Sequence, residues 1–171
     1  MRNKTAFLTQ AAIIAALYAV LTHFQNLILP GSATWAIQMR LSETLAVLAF
    51  FTPAAVPGMA IGCLVFNLTY AAALPLDFLV GTVASWLAAQ LMWLSRKLSI
   101  KGLPLPGLLM PALTNALLVG WELTVYVGGG FWVNALCVAL GEGAVLLSFG
   151  SALYTAIKDR GLDKRLLGQW V

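Results

Sequence analysis

Continuous apolar segments, cut by short connections of proline, glycine or basic residues, constrain this chain more than any other feature. A helix needs roughly 20 mostly apolar residues to cross a bilayer core, and 171 residues leave room for about six such spans. The segments fall at residues 5–24, 40–52, 56–73, 77–94, 107–127 and 131–157. Pro53 and Pro57, Leu74–Pro75–Leu76, and Gly128–Gly129–Gly130 break them, as residues that end helices or turn tightly do. The apolar runs do not alternate, which excludes a membrane β-barrel. The expectation is an all-α integral membrane bundle of six transmembrane helices in a single domain, 1–171. No internal repeat stands out. The second segment is short for a span, so it is expected to be tilted, broken or shielded by its neighbours.

Charge sets the orientation. Nine of the ten basic residues lie in three clusters: Arg2 and Lys4; Arg96, Lys97 and Lys101; and Lys158, Arg160, Lys164 and Arg165. Short basic clusters beside spans mark the cytoplasmic side, and six crossings return all three clusters to that side. Both termini are therefore expected in the cytoplasm, with the chain in the inner or plasma membrane. This distribution, rather than the net charge of +4, argues against nucleic acid as a partner.

Against a mean hydropathy of +0.89, with 61% hydrophobic and 9% charged residues, four carboxylates inside apolar segments stand out: Glu43, Asp77, Glu122 and Glu142. An ionisable side chain at the bilayer centre costs about 2.5–3.5 kcal/mol on insertion scales. These four must therefore face a shared polar interior, expected to open to the exterior. Asn115 and Glu122 are seven apart and share a helix face, and Asp77, Gly81 and Ser85 form a second stripe. Asn67 and Asn134 add amides, and Arg40 is the one basic residue outside the clusters. The plainer alternative is that Glu43 and Asp77, which begin helices, serve as caps or dipole partners.

Trp121 adjoins Glu122, and Trp132 lies two residues before Asn134. Interfacial aromatics are common, but a ring beside carboxylates and amides also suits a flat heterocycle bearing amino groups. Ala11, Ala15 and Ala19, flanked by Ala12 and Ala16, make a small-residue stripe that lets another helix approach closely. It serves either internal packing or docking of a second membrane subunit. The connection 25–38, with Trp35 as an apolar anchor, is long enough to cover the outer face as a lid. No phosphate loop is present, and His23 is the only histidine, so nothing reads as catalytic and no cofactor or metal is implied.

Several stretches together resemble the QueT family, predicted substrate-binding S components of energy-coupling factor (ECF) transporters. They are Arg40–Leu41–Ser42–Glu43; Phe50–Phe51–Thr52–Pro53–Ala54–Ala55–Val56–Pro57–Gly58 with Gly62–Cys63; Leu76–Asp77 with Gly81–Thr82; Asn115–Ala116–Leu117 with Gly120 and Glu122; and Phe131–Trp132–Val133–Asn134–Ala135 with Gly141–Glu142. The resemblance covers essentially the whole chain. It implies the six-helix S-component fold and uptake of a queuosine precursor, a 7-deazaguanine such as 7-aminomethyl-7-deazaguanine, or queuine. It further implies a transmembrane coupling subunit, to which the alanine stripe would be presented, and two ATPase subunits. Trp121 is a departure from the family's pattern. The readings that compete are a proton- or ion-coupled carrier using the carboxylates, and an accessory subunit without a ligand.

Overall fold

The computed structural model describes residues 4–32 and 37–166. Helix α1 (Lys4–Ile28) is followed by a 3-10 helix (Leu41–Phe50), α2 (Ala55–Thr69), α3 (Asp77–Ser95), a single turn α4 (Leu105–Leu108), α5 (Met110–Tyr126) and α6 (Phe131–Val145). A π-helical turn (Leu146–Gly150) leads into α7 (Ser151–Asp159) and the short α8 (Leu162–Leu166). Among the described residues there is no strand beyond one isolated bridge between Ile100 and Leu103.

Four stretches are long and apolar enough to cross a membrane: Lys4–Ile28, Asp77–Ser95, Leu105–Tyr126 and Phe131–Asp159. Leu41–Phe50 and Ala55–Thr69 are apolar but shorter. The element order follows the sequence expectation, with three local differences. Helix α1 continues through Gln25 and Asn26 to Ile28, because nothing breaks it before Pro30 and Gly31. The fifth span is interrupted at Leu109, where Pro111 lacks the N–H that would have continued the α4 turn into α5.

The third difference is the short second segment. It is wound as a 3-10 helix, whose rise of about 2.0 Å per residue carries ten residues some 20 Å rather than about 15 Å. Side chains three apart eclipse in this geometry. Glu43, Ala46 and Ala49, with Arg40 just before them, therefore form one ridge, and all four are buried. Runs this long are uncommon; here the element is held by neighbours, packing on α1, α2, α3, α6, α7 and the π turn.

Around it, α1 packs on α2, α2 on α3, α3 on α5 and α5 on α6. The α1–α2 contact explains the alanine stripe. Ala11, Ala15 and Ala19 are buried, and a Cβ on Gly62 would sit 2.8 Å from the Ala15 carbonyl oxygen and 2.6 Å from the Tyr18 Cβ. The two backbones meet over the glycine, so these three alanines are a packing face inside the chain and not a docking face. Ala12 and Ala16 lie on the exposed side of α1.

The apolar core gathers at the end where the 3-10 helix turns through Pro53. Phe50, Phe51, Met59, Met92, Leu108 and Ile157 fill it, joined by Leu146 from the π turn. A smaller cluster of Ala84, Val119, Leu123 and Val138 lies between α3, α5 and α6. The outer surface is apolar, with Leu8, Val20, Phe24, Leu68, Leu136 and Leu140 exposed. That pattern suits a chain whose solvent on the outside is lipid.

Candidate functional site

The polar residues converge on the ridge of the 3-10 helix. Arg40 and Glu43 are both completely enclosed. From α1, the Tyr18 hydroxyl donates to Glu43 Oε1 at 2.6 Å; from α3, Ser85 donates to the same oxygen at 3.4 Å. The Arg40 guanidinium donates to Cys63 Sγ of α2 at 3.9 Å and interacts electrostatically with Glu43 and Glu142. Glu142, from α6, receives the Asn115 amide on both carboxylate oxygens, at 2.8 and 2.7 Å. One guanidinium thus sits among carboxylates brought from two elements; hydroxyls and an amide donate to them, and Glu43 Oε2 is left without a donor. Removing a charged partner from such a buried set leaves the other uncompensated.

Glu122 differs. It has no accessible surface, and neither of its oxygens accepts a hydrogen bond. Its electrostatic neighbours are Asp77 first and Arg40 second. Asp77 is committed at one oxygen to the turn before α3, where the Leu74 N–H donates to Oδ2 at 2.8 Å. Asn67 donates to the Asp77 backbone carbonyl at 2.7 Å and to Cys63 Sγ at 3.5 Å. Its orientation is therefore fixed, and its own carbonyl oxygen is left unpaired.

Gln38 enters from the connection before the 3-10 helix. It is buried, and its backbone lies in a notch on α6 at Gly141, one residue before Glu142. A Cβ on Gly141 would collide with the Gln38 carbonyl oxygen. Gln25 ties this connection down: its amide donates to Ser32 Oγ at 2.9 Å and to the Met39 carbonyl at 2.6 Å, and it accepts from the Leu41 N–H at 2.8 Å. Trp35, the expected anchor of a lid, lies outside the described residues.

Of the residues expected at the site, Arg40, Glu43, Asn67, Asp77, Asn115, Glu122 and Glu142 are buried and linked by the contacts above. Asn134 is buried but used elsewhere: its amide donates to Thr124 Oγ1 and to the Gly128 carbonyl, both at 3.0 Å. It holds the glycine turn in which Gly128 and Gly129 have φ of 91° and 85°. Trp121 and Trp132 are 49% and 77% exposed and face away from the carboxylates, so the geometry gives no support to the stacking role. His23 is exposed and paired with Thr69 Oγ1 at 2.9 Å. Tyr18, Gln38 and Cys63 were not expected as members. Tyr18 shares the buried face of α1 with Ala11, Ile14 and Ala15, which was its signal in the sequence.

A family model described as QueT transporter matches residues 8–159. The chain belongs to the QueT transporter family. Membership in a transporter family, together with several membrane-length helices, makes this QueT chain a multi-pass membrane protein of a transporter family. No match appears among curated proteins or solved structures.

Proposed function

We propose that the chain is the substrate-binding subunit of an ECF-type importer, and that it captures a queuosine precursor of the 7-deazaguanine class from outside the cell. One observation carries the reading. Among the described residues, the buried side-chain oxygens left without a partner are Gln38 Oε1, Glu43 Oε2, Asn67 Oδ1, Asn115 Oδ1, both oxygens of Glu122 and the Thr44 hydroxyl. Apart from that hydroxyl, every one is an acceptor. Asn115 and Asn67 are oriented by their own amide bonds, so their free oxygens follow from the network. An interior that lacks only donors calls for a ligand rich in them. A deazaguanine supplies N–H groups along its pairing edge, and an aminomethyl arm adds an ammonium; charge-assisted bonds of this kind are the strong ones.

In this reading six crossings place both termini in the cytoplasm, and two of the crossings are the shorter helices. A coupling subunit and two ATPases supply the energy, since the chain carries no phosphate loop. The exposed face of α1 around Ala12 and Ala16 is where that subunit would lie. The test is calorimetry on the purified protein against 7-aminomethyl-7-deazaguanine, queuine, guanine and unrelated vitamins. Saturable binding of a deazaguanine is the expected result, with no saturable binding of the unrelated vitamins; the reverse order would overturn the reading.

The juxtaposition of Glu122 and Asp77 favours a second reading, a carrier that relays protons. Proton-driven flux in liposomes containing this chain alone would establish that reading. Copurification with an ATPase pair would support the first.

A further inference from the structure

The buried carboxylates fall into two kinds. Glu43 accepts from Tyr18 and Ser85, Glu142 accepts twice from Asn115, and both face Arg40. Glu122 is as deeply enclosed and accepts from no N–H or hydroxyl; its first electrical neighbour is another acid, Asp77, with which it can pair only by sharing a proton, and Arg40 comes second. A carboxylate out of reach of water with no donor is costly, and a second acid beside it adds to that cost. Glu142 is thus satisfied at both oxygens and Glu43 at one, with Arg40 facing both; Glu122 has no such donor at either oxygen. In the same corner Asn67, held by its bond to the Asp77 carbonyl, leaves its carbonyl oxygen free.

We propose that Glu122, with Asp77 beside it and Asn67 on the adjoining helix, seats a primary ammonium group of the transported molecule, while Glu43 and Glu142 are held by Arg40. A primary ammonium carries three donors and one positive charge. Glu122 offers two free oxygens and Asn67 one, and the charge offsets the two acids together. This assignment rests on the proposed function and deepens it: it says which acid reads the cationic arm and predicts selection against molecules that lack one.

The test uses the full-length protein purified in detergent. Ethylammonium chloride should raise the melting temperature of the wild type. Sodium chloride and tetramethylammonium chloride at equal ionic strength should not, because the first offers no N–H and the second is a cation without donors. Glu122→Gln should abolish the ethylammonium shift and melt, without additive, at or above the wild-type temperature. Glu142→Gln should melt lower and keep the shift. By calorimetry, Glu122→Gln should weaken 7-aminomethyl-7-deazaguanine about thirtyfold or more, as expected for losing a buried charge partner, and weaken 7-deazaguanine without the arm by less than about threefold.

Equal loss of both ligands, an equal shift from sodium, or no shift from ethylammonium would overturn the assignment. Failure of Glu122→Gln to fold would do the same, since it would make Glu122 a structural residue. If the wild type binds neither deazaguanine but ethylammonium still shifts it through Glu122, the seat stands and the proposed substrate class falls.

Discussion

Around Pro53 the bundle is filled by Phe50, Met59, Met92, Leu108 and Ile157; toward its other end the same helices turn Glu43, Asp77, Asn115, Glu122 and Glu142 inward. The two regions share α2, α3 and the 3-10 helix, yet they follow opposite rules. At the Pro53 end the interdigitating side chains are apolar apart from Thr52, whose hydroxyl is paired with Gln10, and any lost methylene leaves a cavity. In the polar region, oxygens are enclosed without donors, an arrangement that lowers stability unless something binds. The difference teaches that, on the proposed function, stability and recognition are carried by separate depths of one short bundle.

That separation can be broken by substitution. Met92→Ala should cost about 2–5 kcal/mol of stability, the range for truncating a buried methionine, while ligand affinity of the folded fraction stays within about threefold. Thermal melting and calorimetry on the same preparation check both halves. An affinity loss larger than the stability loss would mean the two regions are coupled. Gly141→Ala sits where they meet, because its methyl would strike the Gln38 carbonyl. Overpacking of this kind costs about 1–3 kcal/mol, and here it should lower both melting temperature and affinity by displacing the connection beside Glu142. Unaltered binding would show that Gln38 is not part of the site. Trp132→Ala should be the mildest, within about 0.5 kcal/mol in both measurements, as for exposed positions generally. A marked loss of affinity would restore the stacking role that the ring's exposure takes away.

Much of this arrangement was legible in the sequence, and the reasons differ by residue. The inward turn of Glu43, Asp77, Glu122 and Glu142 followed from the cost of a charge in hydrocarbon, which holds whatever the neighbours are. Asn115 and Glu122 followed from helix periodicity. Asn134 did not, because periodicity gives a face and not a partner, and the glycine turn claimed its amide. The stripe of Ala11, Ala15 and Ala19 shows the same limit: small residues announce a close approach, but only the notch at Gly62 says that the approaching helix belongs to this chain. Trp121 and Trp132 stand next to polar residues along the chain, yet adjacent helical positions point about 100° apart. The 3-10 winding of Leu41–Phe50 had no local signature, since its neighbours impose it.

The two short helices also bear on how such a chain enters a bilayer. At 10 and 15 residues, neither reaches the length that holds a lone helix across the hydrocarbon. The first also brings Arg40 and Glu43 at its leading edge, and a charge at mid-bilayer is disfavoured on insertion. Released one at a time into lipid, each would be ejected or left lying at the surface. In the six-crossing reading proposed above they are taken up as a pair joined at Pro53 and packed against their neighbours, α1 and α3 among them. On that reading, crossing the membrane and folding are one event for this chain.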